Sequence, residues 1–147
     1  MSRFMSALRV FVLVVASVGA VACGGAVSVL HKQGKPTGEG PAELAVKNGS
    51  GQSIEKLYVA KTDAVDQARE AGYGPGSAAD QALWGEDKLG NAGIPEGQTW
   101  NGLELLPARY DLLLIGHDRR EQLVKHLDLH SGGRYVLEVN DDWTMGR

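Results

Sequence analysis

Few side chains in this chain are placed to do chemistry. His126 and His130 stand four apart, Glu86 is followed by Asp87, Asp141 by Asp142, and Cys23 is the single cysteine. Histidines four apart can hold zinc from one helix face. In a strand, at about 3.3 Å per residue, they lie about 13 Å from each other and cannot share an ion. Residues 123–129 read as a strand, so no metal site is expected. Acid–base catalysis needs two carboxyl groups converging in a cleft, whereas sequence neighbours in loops point apart. Calcium suits such oxygen ligands, yet Glu86, Asp87, Asp141 and Asp142 do not follow a calcium-loop spacing. The chain has no Gly-x-Ser-x-Gly elbow and no glycine loop ending in Lys-Ser/Thr. The expectation is a protein that is not an enzyme and has no cofactor. Trp84, Asp87 and Trp100 are the candidate contacts for a ligand or partner, because indole faces can stack on a sugar.

Length and composition bound the fold that must position these residues. The chain has 147 residues, 18 acidic and 15 basic, which fits one domain. Aromatic residues make up only 6%, against 20 glycines, so a large aromatic core is not expected. Charge is mixed with no basic stripe, which disfavours nucleic-acid binding. A lone cysteine excludes an internal disulfide and an all-cysteine zinc site.

Residues 1–22 have the pattern of a signal peptide. Arg3 and Arg9 precede an apolar run that ends in Ala20-Val21-Ala22. Cys23 follows directly, and Ala20-Val21-Ala22-Cys23 resembles a bacterial lipobox, although leucine is commoner at the first of these positions. That resemblance implies a mature N-terminus at Cys23 with lipid on its sulfur; two or three acyl chains anchor a protein stably. Gly24 after the cysteine, rather than Asp, favours the outer membrane in a two-membrane host. Two other readings stay open. Ala-x-Ala also fits ordinary secretory cleavage. The uncharged stretch 10–30 is also 21 residues, long enough to span a bilayer as an uncleaved helix. All three place the folded part outside the cytoplasm. Removing residues 1–22 takes away two arginines and no acid, leaving 13 basic and 18 acidic residues, a net charge of −5. Such a domain should stand off an anionic membrane rather than lie on it.

Residues 23–41 hold the lipid site and a flexible linker, rich in Gly and Pro from residue 31 onward. A β domain is expected over 42–143, with a short tail at 144–147. Residues 43–47 alternate, and Asn48-Gly49-Ser50-Gly51 is a turn. Residues 53–61 form a second strand whose alternation slips between Ile54 and Leu57, which predicts a bulge. Residues 62–83 are an Ala-rich helical excursion, with a second helical turn capped by Ser77. Strands follow at 98–106, 110–116, 122–129 and from Tyr135. In 110–116, Tyr110, Leu112 and Leu114 face one side and Leu113 and Ile115 the other, which predicts a central strand apolar on both faces. His117-Asp118-Arg119-Arg120 is a polar hairpin turn. The fold class is all-β: an antiparallel β-sandwich, immunoglobulin-like or Greek key, with one short helical insertion. Tyr110 after Pro107 reads as a tyrosine corner, its hydroxyl bonding upstream backbone. Trp84 is expected to cap one end of the sandwich.

The set Asn48-Gly49-Ser50-Gly51, Leu57-Tyr58-Val59, Trp84-Gly85-Glu86-Asp87-Lys88-Leu89-Gly90 and Leu106-Pro107-Ala108-Arg109-Tyr110-Asp111-Leu112, in that order, resembles a group of small bacterial envelope β-sandwich modules. In these, Asn-x-(Ser/Thr)-Gly, Trp-Gly-x-Asp-x-Leu-Gly and Leu-Pro-Ala-Gly-x-Tyr-Asp-Leu recur. This chain lacks the glycine after Ala108, and its excursion is longer. The resemblance covers most of 42–143 and implies fold and compartment but no reaction. The resulting expectation is a lipid-anchored, non-enzymatic binding or scaffolding module of the cell envelope. It would present one sandwich end and the excursion to an envelope protein or cell-wall glycan. The alternatives are a secreted carbohydrate- or small-ligand-binding domain and, behind it, a hydrolase.

Overall fold

A computed structural model describes residues 26–73 and 78–145. The leader, Cys23 and Ser77 lie outside the described residues. The elements run β1 (Val29–Lys32), β2 (Ala42–Asn48), β3 (Ile54–Lys61), α1 (Thr62–Glu70), α2 (Ala78–Trp84), β4 (Thr99–Leu105), β5 (Ala108–Gly116), β6 (Glu121–Leu129) and β7 (Arg134–Val139). They form a four-stranded sheet ordered β1-β7-β2-β4 and a three-stranded sheet ordered β3-β5-β6. All neighbours are antiparallel except β2 and β7, which run parallel.

Alternation puts one face of each strand inward. Ala42, Leu44 and Val46 of β2 and Tyr135, Leu137 and Val139 of β7 meet Leu57 of β3 and Tyr110, Leu112 and Leu114 of β5 in the core between the sheets. Fully burying one such leucine contributes about 1.5–3 kcal/mol relative to leaving it in water. β5 lies in the middle of its sheet, and its other face carries Leu113 and Ile115 into a second cluster under the helices. The expected bulge is present, with the β3–β5 register shifting between Ile54 and Lys56.

The chain crosses between sheets at β2–β3, β3–β4, β4–β5 and β6–β7. At β4–β5 the Tyr110 hydroxyl donates to the Leu106 carbonyl at 2.7 Å, which is the expected tyrosine corner. At β6–β7 the Tyr135 hydroxyl accepts from the His130 amide at 2.9 Å. At β2–β3 the buried Asn48 uses its whole amide. Its Nδ2 donates to the carbonyls of Gln52 and Ile94, and its Oδ1 accepts from Ser50 N and Oγ. Each lock satisfies polar groups that a crossing would otherwise bury unpaired.

Residues 29–41 differ from the free linker that composition suggests. β1 pairs with the edge of β7, from Val29 opposite Glu138 to Lys32 opposite Tyr135. Further on, Thr37 N and Gly38 N donate to the carbonyls of Gly132 and Ser131, and the Ser131 hydroxyl donates to Gly40 O. The approach is close: a Cβ at Gly132, whose φ is +65°, would collide with the Thr37 side chain. β1 is an edge strand with little burial, so it carries no alternating pattern to announce it. Among the described residues no helix is long and apolar enough to cross a membrane.

Candidate functional site

The helical excursion does not project from one end of the sandwich. It lies on the outer face of the three-stranded sheet. Val65 of α1 and Trp84 of α2 pack on Ala60 and Leu113, with Tyr58, Leu83, Ile115 and Leu123 around them. Trp84 is therefore not an end cap. It is 5% exposed, its Nε1 donates to Asp80 Oδ1 at 3.2 Å, and little of its ring face is open to a sugar.

The helices leave part of that apolar face uncovered. A groove of about 740 Å³ runs beside α2. Tyr58, Leu113 and Ile115 form its floor, the Trp84 edge one side, and Lys56 and Arg119 bring positive charge to its rim. Glu55, Asp80 and Glu121 supply the opposite sign. Tyr58 and Ile115 are half-buried, so they offer apolar surface without being sealed. An apolar floor with a few polar rim groups is the usual make-up of a binding site.

Asp87 and Trp100 take structural positions. Asp87 Oδ1 accepts from the amides of Leu57 and Leu89, both at 3.0 Å, while Lys88 N donates to Leu57 O. The loop after α2 is thereby stitched to β3. Trp100 sits on β4 in the other sheet, packs against the inter-sheet core and lies over Gly102, where a Cβ would meet its ring. Trp84 and Trp100 thus serve different sheets and line no common site.

The other sequence candidates are dispersed in the same way. His126 has a φ of +60° at the β5–β6 irregularity, and its amide donates to Asp111 Oδ1. His130 contributes its amide to Tyr135 and its ring to Asp128, 3.5 Å away. Among the described residues, no three His, Cys, Asp or Glu side chains gather as a metal site.

A second hollow, of about 720 Å³, lies on the outer face of the four-stranded sheet. Its centre is Ala45 and Val136, and the Arg134–Glu43 ion pair, at 3.2 Å, crosses its wall. Tyr135 is its one aromatic lining residue, and that side chain is buried in the inter-sheet core. Sequence reasoning missed Tyr58, Leu113 and Ile115 as site residues. Their one signal was that 110–116 is apolar on both faces, which required something to cover the outer one.

No family model, no curated protein and no solved structure matches this chain. What stands is a small, mostly β protein of two packed sheets with two short helices. The residues of the three sequence motifs have structural work here. Asn48 locks a crossing, Trp84 fills the helix–sheet seam, Asp87 stitches a loop, Leu89 enters the core and Tyr110 closes a corner.

Proposed function

We propose that this protein is a lipid-anchored, non-enzymatic binding module of the bacterial cell envelope. Its groove between α2 and the three-stranded sheet would take an apolar segment of an envelope protein. One observation carries the binding half of this reading. Tyr58 and Ile115 remain half-open on a sheet face that is otherwise covered by the protein's own helices. Apolar surface left open beside a charged rim favours a partner that buries it. The envelope half rests on the leader ending at Cys23 and on the resemblance of the Asn48, Trp84 and Tyr110 segments to envelope modules.

A photo-crosslinking phenylalanine analogue at Tyr58, in cells, tests the groove. A control analogue at Ala45 samples the opposite outer face. A discrete protein adduct at Tyr58 that is missing at Ala45, with unchanged melting of both variants, is the expected result. The same adducts from both positions, or none from Tyr58, would remove the groove from the account.

A further inference from the structure

We infer that the sandwich stands end-on against the lipid surface, with the end that carries Val27, Asp142 and Met145 facing the membrane. The inference rests on the proposed lipidation of Cys23 and adds the face that meets the bilayer. A flexible tether of residues 23–41 would let the domain roam. The structure shortens that tether at its far end. The Val27 carbonyl accepts from Asn140 Nδ2 at 2.9 Å, Ser28 Oγ donates to Gln122 Oε1 at 2.8 Å and accepts from Asn140 N, and β1 begins at Val29. The body therefore holds the chain from Val27 onward. Only three peptide units separate Cys23 from Ala26, and in any conformation they reach at most about 11 Å.

β1 runs antiparallel to β7, so the chain joins the sandwich at the end where β7 finishes. The same end holds the β5–β6 hairpin turn with Arg119, and the segment in which Thr144 bridges Glu121. That end exposes apolar groups together with the acids Asp118, Asp141 and Asp142. Among the described residues five large apolar side chains are exposed, and Val27 (69%), Val29 and Met145 (86%) are at or beside this end. The opposite end, with Leu106 and the β6–β7 turn, lies one strand length away, about 30 Å for the nine residues of β5. The groove's Arg119 rim is at the membrane-facing end, so a segment bound there would meet the domain close to the bilayer.

The test uses the full lipoprotein reconstituted in phosphatidylethanolamine–phosphatidylglycerol vesicles that contain a headgroup-labelled energy acceptor. A donor dye is placed on Asp142→Cys or on Leu106→Cys; the lipidated Cys23 sulfur cannot take the dye. Transfer at least several-fold more efficient from position 142 than from 106 is expected. Inserting twenty Gly/Ser residues between Gly25 and Ala26 should collapse that difference. Equal transfer from both positions, or a difference that survives the insertion, overturns the inference. Mass spectrometry of the N-terminal peptide reads the anchor separately. An unmodified Cys23 or an intact Met1 peptide would defeat lipidation itself, while a lipidated Cys23 with equal transfer defeats only the end-on posture.

Discussion

Asp111 Oδ1 accepts the Thr62 hydroxyl at 2.7 Å, joining the first residue of α1 to the middle strand of the three-stranded sheet. The same oxygen accepts the amide of His126, so one atom ties α1, β5 and the irregular part of β6 together. Asp111 is fully buried, and its Oδ2 has no hydrogen-bond partner.

That arrangement makes the two oxygens unequal. Asp111→Ala strips the acceptor from two donors and should cost about 2–4 kcal/mol, since each buried donor left unsatisfied costs about 1–3. Asp111→Asn can keep Oδ1 as the acceptor and should cost clearly less. Urea unfolding of both variants measures this. An asparagine as damaging as alanine would mean that the charge matters more than the acceptor.

Tyr110→Phe should cost about 1 kcal/mol, the net worth of one hydrogen bond, because the Leu106 carbonyl loses its donor. Burial raises the Tyr110 phenol above the ordinary tyrosine value of 10.0. The folded state thus holds this proton more tightly than the unfolded chain. The corresponding stability is fully present below the ordinary value and is lost as pH rises through the higher folded one. In an alkaline absorbance titration, Tyr110→Phe should remove a late-ionising phenol. A titration unchanged by the substitution would contradict the corner.

Asp87 is expected to act on stability and not on binding. Asp87→Ala frees the amides of Leu57 and Leu89 and should destabilise by about 1–2 kcal/mol, as both bonds are partly exposed. Crosslinking from Tyr58 should persist at temperatures where the variant stays folded. Loss of the adduct in a folded variant would make Asp87 a contact residue after all.

Asn48→Asp is nearly isosteric yet should be more harmful than its size suggests. It replaces an Nδ2 donor, which bonds Gln52 O at 2.8 Å and Ile94 O at 2.7 Å, with an oxygen facing two carbonyls. A loss of about 3 kcal/mol is expected, from two broken bonds and an added buried repulsion. Denaturant midpoints of the Asp and Ala variants test it, and a milder effect for Asp than for Ala would argue against the geometry.

Acid should loosen the contact between the β2–β3 and β5–β6 loops. The backbone amide of Arg120 is the main cause that holds the Asp118 carboxyl below its ordinary value, with the Arg120 and Gln52 side chains adding to it. A lowered folded value means a contribution present above the ordinary aspartate range and lost as pH falls through the folded value. The Arg120 amide resonance, followed by NMR against pH, should titrate below the ordinary aspartate range. Asp118→Asn should abolish that shift.

Some structural features were legible because their cause is local. The slip between Ile54 and Leu57 predicted a bulge, and Pro107 followed by Tyr110 predicted a corner; both depend on residues a few positions apart. The groove was not legible, because Tyr58, Trp84 and Ile115 are distant in sequence and meet only when α2 folds back onto β3 and β5. β1 was missed for a related reason. Its bonds go to β7, about a hundred residues on, and its exposed side chains carry no period.

By itself the sequence determined the β class, the turns and the inward faces of the strands, because side chains alternate with a period of two whatever the strand pairs with. Only the tertiary structure decided that β7 returns parallel to β2, that residues 27–41 are bound to the body, and that Trp84 and Trp100 serve different sheets. These are choices of partner. They depend on which edges and faces remain uncovered once the rest of the chain has packed, and no local pattern encodes that.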